Sequence, residues 1–202
     1  MVDCNADGRL VDALEAAVAD VANALAHAGP VPAAGAAAAA SLAMGLGLGL
    51  KVVRLSQRQS GSPDDAEEAL AQLLAPALLA FRRDCVAVRT LLSRKRTPAD
   101  CRTAIEVPLQ VLELARDGSS VLSAALDGLK ATLISDTTAA SSLMHAAAVV
   151  SYWIVRDNAA WLNIDAEGDA LARASGAMAD VTACHERVLN MIRRHVAGTA
   201  PR

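Results

Sequence analysis

The chain has 202 residues, of which 53% are hydrophobic, 20% are charged and only 2% are aromatic. This apolar fraction is too high for a disordered segment, and the length suits one domain with a core of its own. The net charge of −3 argues against nucleic acid and acidic membrane surfaces as partners, because binding to phosphates needs clustered positive charge.

The scarcity of aromatic residues also restricts the fold. The chain has only four of them: Phe81, Tyr152, Trp153 and Trp161. The core must therefore be built from Ala, Leu and Val, of which Ala and Leu are strong helix formers, whereas strands favour β-branched and aromatic residues. We expect an all-α protein and disfavour β-sandwiches, β-barrels and aromatic platforms for single-stranded nucleic acid.

The cysteines and the N-terminal sequence predict a cytoplasmic protein. The four cysteines lie far apart and include no C-x-x-C pair: Cys4, Cys85, Cys101 and Cys184. This spacing is typical neither of a disulfide framework nor of a zinc finger. The N-terminal residues lack the charged-then-apolar order of a signal peptide.

Residues 31–50 carry no charge and are numerous enough to cross a bilayer. Ala and Gly dominate this segment, and both contribute little transfer free energy. We therefore expect a central helix of a soluble domain rather than a membrane span. Its small residues would let another backbone or a flat ligand approach closely.

Helix-breaking residues divide the chain into helical blocks. The first extends from about Leu10 to His27 and ends at the Gly29-Pro30-Val31-Pro32 segment, after which the Ala-rich block follows. A third block begins near Gly61-Ser62-Pro63. Its apolar stripe has helical spacing and comprises Leu70, Leu73, Leu74, Ala77, Leu78, Phe81, Cys85, Val88 and Leu92.

The second half of the chain divides in the same way. Thr97-Pro98 begins a fourth block, and we expect Pro76 and Pro108 to kink the helices that contain them. Asp117-Gly118 and Asp127-Gly128 predict turns. The fifth block runs from about Asp136 to Leu162 and the last from Asp169 to His195, whose apolar seam suits antiparallel packing or dimerisation. We therefore expect residues 1–202 to form a single all-α domain. We expect this domain to be an antiparallel bundle of about six helices and to form dimers.

Five segments resemble, in order, motifs of the formiminotetrahydrofolate cyclodeaminase and methenyltetrahydrofolate cyclohydrolase family. The segments are PVPAAGAAAA (30–39), DCVAV (84–88), EVPL (106–109), LISD (133–136) and NAAWL (158–162). They are similar to the family's P-x-P-G-G-G-S-A-A-A, D-x-x-A-aromatic, V-P-L, I-S-D-A-G and N-x-x-x-L patterns. The resemblance implies a helical subunit that dimerises, with a folate site near the glycine-rich segment and the dimer interface.

The chain departs from the family's pattern at several polar or glycine positions. Ala33 and Ala34 replace the first two glycines, Ala36 replaces the serine, and Ile154 replaces the first Asn of an N-x-x-x-N pair. Gly35 alone remains of the glycine triplet. A glycine triplet lets the backbone adopt positive φ and approach a ligand, which two added methyl groups oppose.

Opening a methenyl or formimino bridge needs a base for the attacking water and an acid for the departing nitrogen. Asp136 is the first candidate, because it matches the family motif and begins the most apolar helix; the alternative is a helix N-cap. Asp84 could be a buried acid or base, or a surface partner of Arg83 or Arg89. His145 could move protons near neutral pH, or be a core histidine with one hydrogen bond.

Four further residues are candidates for substrate binding. Gly35 and Ser135 belong to the matched motifs, and Asn158 could bind a pterin-like ring or cap a kink. Trp161 lies near Tyr152 and Trp153, and we expect a flat ligand between this cluster and the small-residue helix after Pro32. No metal-ligand spacing is present, so we expect neither a metal nor a cofactor, with a tetrahydrofolate derivative as substrate.

Two functions remain open. The first is an enzyme of C–N hydrolase or ammonia-lyase type, acting without metal on a folate-like or other cyclic nitrogenous substrate in one-carbon metabolism. The second is a non-catalytic or repurposed helical subunit of a hetero-oligomeric enzyme in a specialised biosynthetic pathway. Either would assemble as a homodimer or hetero-oligomer through helical surfaces, without nucleic acid or membrane.

Overall fold

The computed structural model describes residues 4–57, 65–93, 95, 97–162 and 168–199. These residues form six α-helices, two short 3₁₀ helices (Leu126–Gly128 and Ala131–Leu133) and no strand. The α-helices are α1 (Cys4–Ala26), α2 (Ala34–Gln57), α3 (Asp65–Leu91), α4 (Pro98–Ala124), α5 (Ile134–Leu162) and α6 (Gly168–Thr199). The predicted all-α class with about six helices is confirmed.

Helices α2 to α6 form an antiparallel bundle in which α2 and α4 each pack against both α3 and α5, and α6 lies on α4 and α5. Lys51 near the end of α2 contacts Asp136 at the start of α5, whereas Ser41 in α2 donates a hydrogen bond to the carbonyl of Leu143. The two helices therefore run in opposite directions.

Small residues allow the central helices to approach closely, as predicted for the second block. A Cβ atom added to Gly45 of α2 would lie 3.0 Å from the carbonyl oxygen of Ala140 in α5. A Cβ atom added to Gly118 of α4 would lie 3.0 Å from the sulfur of Met144, also in α5. Both glycines thus mark places where the neighbouring helices leave no room for a side chain.

Two segments are long and apolar enough to cross a membrane by length and composition, Ala34–Ser56 and Ala131–Leu162. In the first, 56% of the most apolar stretch is buried inside the bundle, against 39% in the second. Leu42, Leu46 and Val53 of α2 belong to the core. The apolarity of α2 is therefore explained by its central position.

The apolar stripe predicted for α3 is partly wrong. The buried residues of this helix are Leu70, Ala77, Ala80, Asp84, Ala87 and Leu91, whereas Leu78 and Leu92 are exposed. Alanines occupy this face because α3 lies between α2 and α4, where short side chains permit close packing. The larger side chains of the predicted stripe fall partly outside it.

The predicted turns and helix starts have different outcomes. Asp117-Gly118 lies inside α4, and the turn expected there is wrong, because Gly118 serves a helix contact instead. Asp127-Gly128 lies in the connection before α5, as expected. Thr97 caps α4 through a reciprocal pair of hydrogen bonds with Asp100. The start expected at Gly61-Ser62-Pro63 lies outside the described residues.

Candidate functional site

The carboxyl group of Asp84 lies against the first turn of α2. Asp84 belongs to α3 and is only 4% exposed. A Cβ atom added to Gly35 would overlap this carboxyl group, so residue 35 can only be glycine while Asp84 holds this position. Gly35 does not have positive φ. The expectation that glycine serves backbone freedom here is thus replaced by a requirement for space.

The surroundings of Asp84 make its carboxyl group easier to protonate than that of an ordinary aspartate. Burial raises the pKa of Asp84, and a hydrogen bond from the backbone N–H of Ala36 offsets part of this rise. The oxygen Oδ2 is buried and finds no hydrogen-bond donor among the described residues. Ala34 beside it is exposed. This carboxyl group can hold and release a proton next to a solvent-accessible helix start.

Asp136 is placed differently. It lies in the first turn of α5, where its Oδ2 accepts a hydrogen bond of 2.9 Å from Lys51 Nζ of α2. Both side chains are at least partly exposed, at 36% for Asp136 and 56% for Lys51. Ser135 beside it is exposed as well. Because α5 begins at Ile134, Asp136 is not an N-cap residue but the partner of an exposed ion pair.

Asn158 binds a backbone carbonyl that Pro108 leaves without a donor. Its Nδ2 donates a 2.7 Å hydrogen bond to the carbonyl oxygen of Ala104 in α4. Four residues later in that helix, Pro108 has no N–H to donate to this carbonyl. Asn158 therefore completes the hydrogen bonding of α4, which continues through Pro108 without a break.

Three of the four aromatic residues lie in the second half of α5. The Tyr152 and Trp153 rings meet edge to face at 5.6 Å, and the Arg156 guanidinium lies 5.6 Å and 5.3 Å from their centroids. Trp153 and Trp161 are more than half exposed, at 53% and 56%. This segment presents flat apolar surface to solvent.

His145 contacts another histidine rather than either aspartate. Its ring stacks on His185 of α6, with centroids 4.6 Å apart and planes 14° apart. Burial lowers the pKa of His145. Neither interpretation of His145 from the sequence included this pair, because no sequence pattern indicates that residues 145 and 185 are in contact.

The antiparallel packing places the candidates in three separate regions. One end of the bundle holds Gly35 and Asp84, together with Asn158 and Trp161 near the C-terminal end of α5. The opposite end holds Ser135 and Asp136. Between these two ends, His145 lies against His185 of α6. Gly35 and Lys51 are about 24 Å apart along α2, at 1.5 Å per residue, so Asp84 and Asp136 of one chain cannot act on the same atom.

Sequence reasoning missed several partners of these residues. Lys51, Ser141 and His185 each contact a candidate residue or its partner, but no motif marks them. The same holds for Arg156, which lies over the Tyr152 and Trp153 rings. Within the described ranges, no three His, Cys, Asp or Glu side chains come together as a metal site.

Comparison with known proteins agrees with this architecture. The family model described as Formiminotransferase-cyclodeaminase matches residues 92–175. Over this part of the chain, the resemblance to the cyclodeaminase family is confirmed. The match contains all of α4 and α5 and the first turns of α6, and thus Asp136, His145 and Asn158, whereas Gly35 and Asp84 precede it.

The fold of this chain is also found in a protein of known structure. It is similar to the crystal structure of formiminotetrahydrofolate cyclodeaminase from Thermotoga maritima, with a TM-score of 0.76 and 22% sequence identity. The likeness covers 85% of this chain and 92% of that chain. No curated protein matches the sequence.

Proposed function

We propose that the chain is a cyclodeaminase-like enzyme that makes or breaks a C–N bond in a folate-like or other cyclic nitrogenous substrate, without a metal ion. The observation that carries this proposal is the buried Asp84 carboxyl group, with one oxygen lacking a donor beside Gly35. The relative from Thermotoga maritima bears the name of a formiminotetrahydrofolate cyclodeaminase, which supports a tetrahydrofolate derivative as substrate.

Asp84 suits the proton transfers of a bridge-opening reaction. A water oxygen bonds to the amidinium-like carbon while Asp84 accepts one water proton. Asp84 then returns this proton to the ring nitrogen as the C–N bond breaks, and the hydroxyl proton leaves to solvent as the C=O bond forms. A carboxyl group whose pKa is raised by burial is a better base than an ordinary one, and accepts and releases protons closer to neutral pH.

Asp84 is preferred to Asp136 and His145 because of what each side chain contacts. Asp136 is engaged with Lys51 and His145 with His185. We place the ring of the substrate at the bundle end that holds Gly35, Asp84 and Trp161, with the exposed aromatic surface of α5 available for stacking. We further propose that the enzyme is cytoplasmic and acts as a dimer.

The test is incubation of the purified chain with 5,10-methenyltetrahydrofolate while its near-ultraviolet absorbance is followed. The proposal predicts loss of absorbance faster than in buffer, and folate binding by calorimetry. The absence of both turnover and binding would contradict a folate substrate. Binding without turnover would contradict the catalytic part.

A specific observation also supports the second function, a non-catalytic helical subunit. Asp136 and Asn158, which match family motifs, both make contacts within the fold, one to Lys51 and one to Ala104. Such structural contacts account for the presence of both residues without any catalytic role. Co-purification of a different enzyme subunit, together with no folate turnover by the complex, would favour this function.

A further inference from the structure

Two histidines join α5 to α6 by stacking face to face. The rings of His145 and His185 lie 4.6 Å apart and within 14° of parallel. Nδ1 of His185 is 2.9 Å from the hydroxyl oxygen of Ser141, one turn before His145 in α5. Both histidines are half-buried. The proposed folate chemistry uses neither His185 nor Ser141.

The helices that pack against the pair supply little charge to balance a proton. The facing part of α2, residues 34–50, has no ionisable side chain. On α4, Arg116 and Asp117 are paired with each other at 2.8 Å. On α6, the neighbours of His185 are Glu186 and Arg187, of which only Glu186 favours an imidazolium.

This environment favours stacked neutral imidazoles over charged ones. Burial lowers the pKa of His185, as does the adjacent His145, and Glu186 offsets part of this effect. Burial also lowers the pKa of His145. Protonation of one ring opposes protonation of the other, because two like charges would face each other across the stack.

We propose that the His145–His185 stack is an acid-released latch, which holds α6 on α5 at neutral pH and loosens this contact in weakly acidic solution. Each histidine binds protons less well in the folded state than in the unfolded chain. The contribution of the two neutral histidines to stability is therefore complete above the ordinary histidine pKa of 6.5. It decreases as the pH falls below that value. Each unit of pKa difference changes the opening equilibrium about tenfold.

Amide hydrogen exchange of α6 tests the latch, measured at pH values of about 7.5 and 5.5 and corrected for the intrinsic exchange rate. The wild-type chain should lose protection in α6 at the lower pH, by up to about tenfold for each histidine. The His145→Gln/His185→Gln double variant should show no such loss. The matched control His27→Gln, in the exposed segment after α1, should behave as the wild type.

The latch is contradicted if the wild-type chain keeps its protection, or if the double variant loses it to the same extent. A second measurement follows the imidazole resonances of the wild-type chain by NMR titration. Both histidines should titrate below the ordinary value, and the midpoint of His185 should rise in His145→Gln. Midpoints at ordinary values, or a His185 midpoint unchanged by that substitution, would overturn the coupling.

Discussion

At residue scale, the contact between Gly35 and Asp84 accounts for a pattern that the sequence alone leaves unexplained. Ala33 and Ala34 stand where the family has glycines, yet residue 35 remains glycine. The reason is the Asp84 carboxyl group, which occupies the space of a Cβ atom. Sequence reasoning could not find this contact, because the two residues are far apart in the chain and belong to different helices.

This contact predicts opposite effects of one substitution at two positions of α2. Gly35→Ala should lower the free energy of unfolding by about 1–3 kcal/mol, because its methyl group overlaps a buried carboxyl group. Gly47→Ala should raise it by up to about 1 kcal/mol, since alanine is the better helix former and its Cβ would meet nothing within 4 Å. Urea unfolding of both variants measures the difference. Similar effects at the two positions would contradict the contact.

The raised pKa of Asp84 predicts a distinctive dependence of stability on pH. The folded-state pKa of Asp84 is raised, so its contribution to stability is complete below the ordinary value of 3.8 and is lost as the pH rises through the folded-state pKa. Asp84→Asn removes this loss, because the amide imitates the protonated acid. The variant should therefore gain stability relative to the wild type as the pH rises in urea-unfolding measurements. A difference independent of pH would argue against a buried acid.

At element scale, local signals in the sequence predicted where most helices begin and end, but not which face each helix buries. The Thr97-Pro98 start of α4 was predictable, because its cap depends on neighbouring residues. The buried face of α3 was not, since it depends on the short distance between helices. A carboxylate amid alanines gives no apolar periodicity, and so the sequence left open whether Asp84 is buried or paired with an arginine at the surface.

The continuity of α4 predicts an energetic link between Asn158 and Pro108. Asn158→Ala should lower the free energy of unfolding by about 1–3 kcal/mol, because it leaves the buried carbonyl of Ala104 without a hydrogen-bond donor. In a Pro108→Ala background the new N–H can serve this carbonyl, so the same substitution should cost less. Chemical unfolding of the four variants in a double-mutant cycle measures this coupling. Additive effects would show that Asn158 does not replace the missing proline N–H.

At the scale of the whole molecule, the bundle separates residues that the sequence had grouped into one site. Gly35 and Asp84 meet, whereas Ser135 and Asp136 lie at the other end of α2. Motif order along the chain was predictable, but the pairing of motifs was not, because antiparallel helices bring distant positions together. The aromatic residues of α5 do lie near the end that holds Asp84.

The exposed apolar surface of α1 predicts that the chain is a dimer. Leu14 and Val18 are 57% and 65% exposed, and α1 borders an apolar groove of about 650 Å³ with α2 and α3. Exposed apolar surface of this kind favours association. Sedimentation velocity should give a dimer for the wild-type chain and for the control Glu15→Gln, and a monomer for Val18→Asp. A monomeric wild-type chain, or a dimeric Val18→Asp, would contradict this assembly.

The most direct test of the proposed chemistry is the rate of 5,10-methenyltetrahydrofolate hydrolysis by Asp84→Asn compared with Asp136→Asn, with circular dichroism as the control for folding. Loss of a general acid–base group lowers turnover by about 10²–10⁴-fold, and this loss is predicted for Asp84→Asn. Asp136→Asn breaks only an exposed ion pair and should stay within about tenfold of the wild type. Full activity in Asp84→Asn with loss of activity in Asp136→Asn would contradict the account.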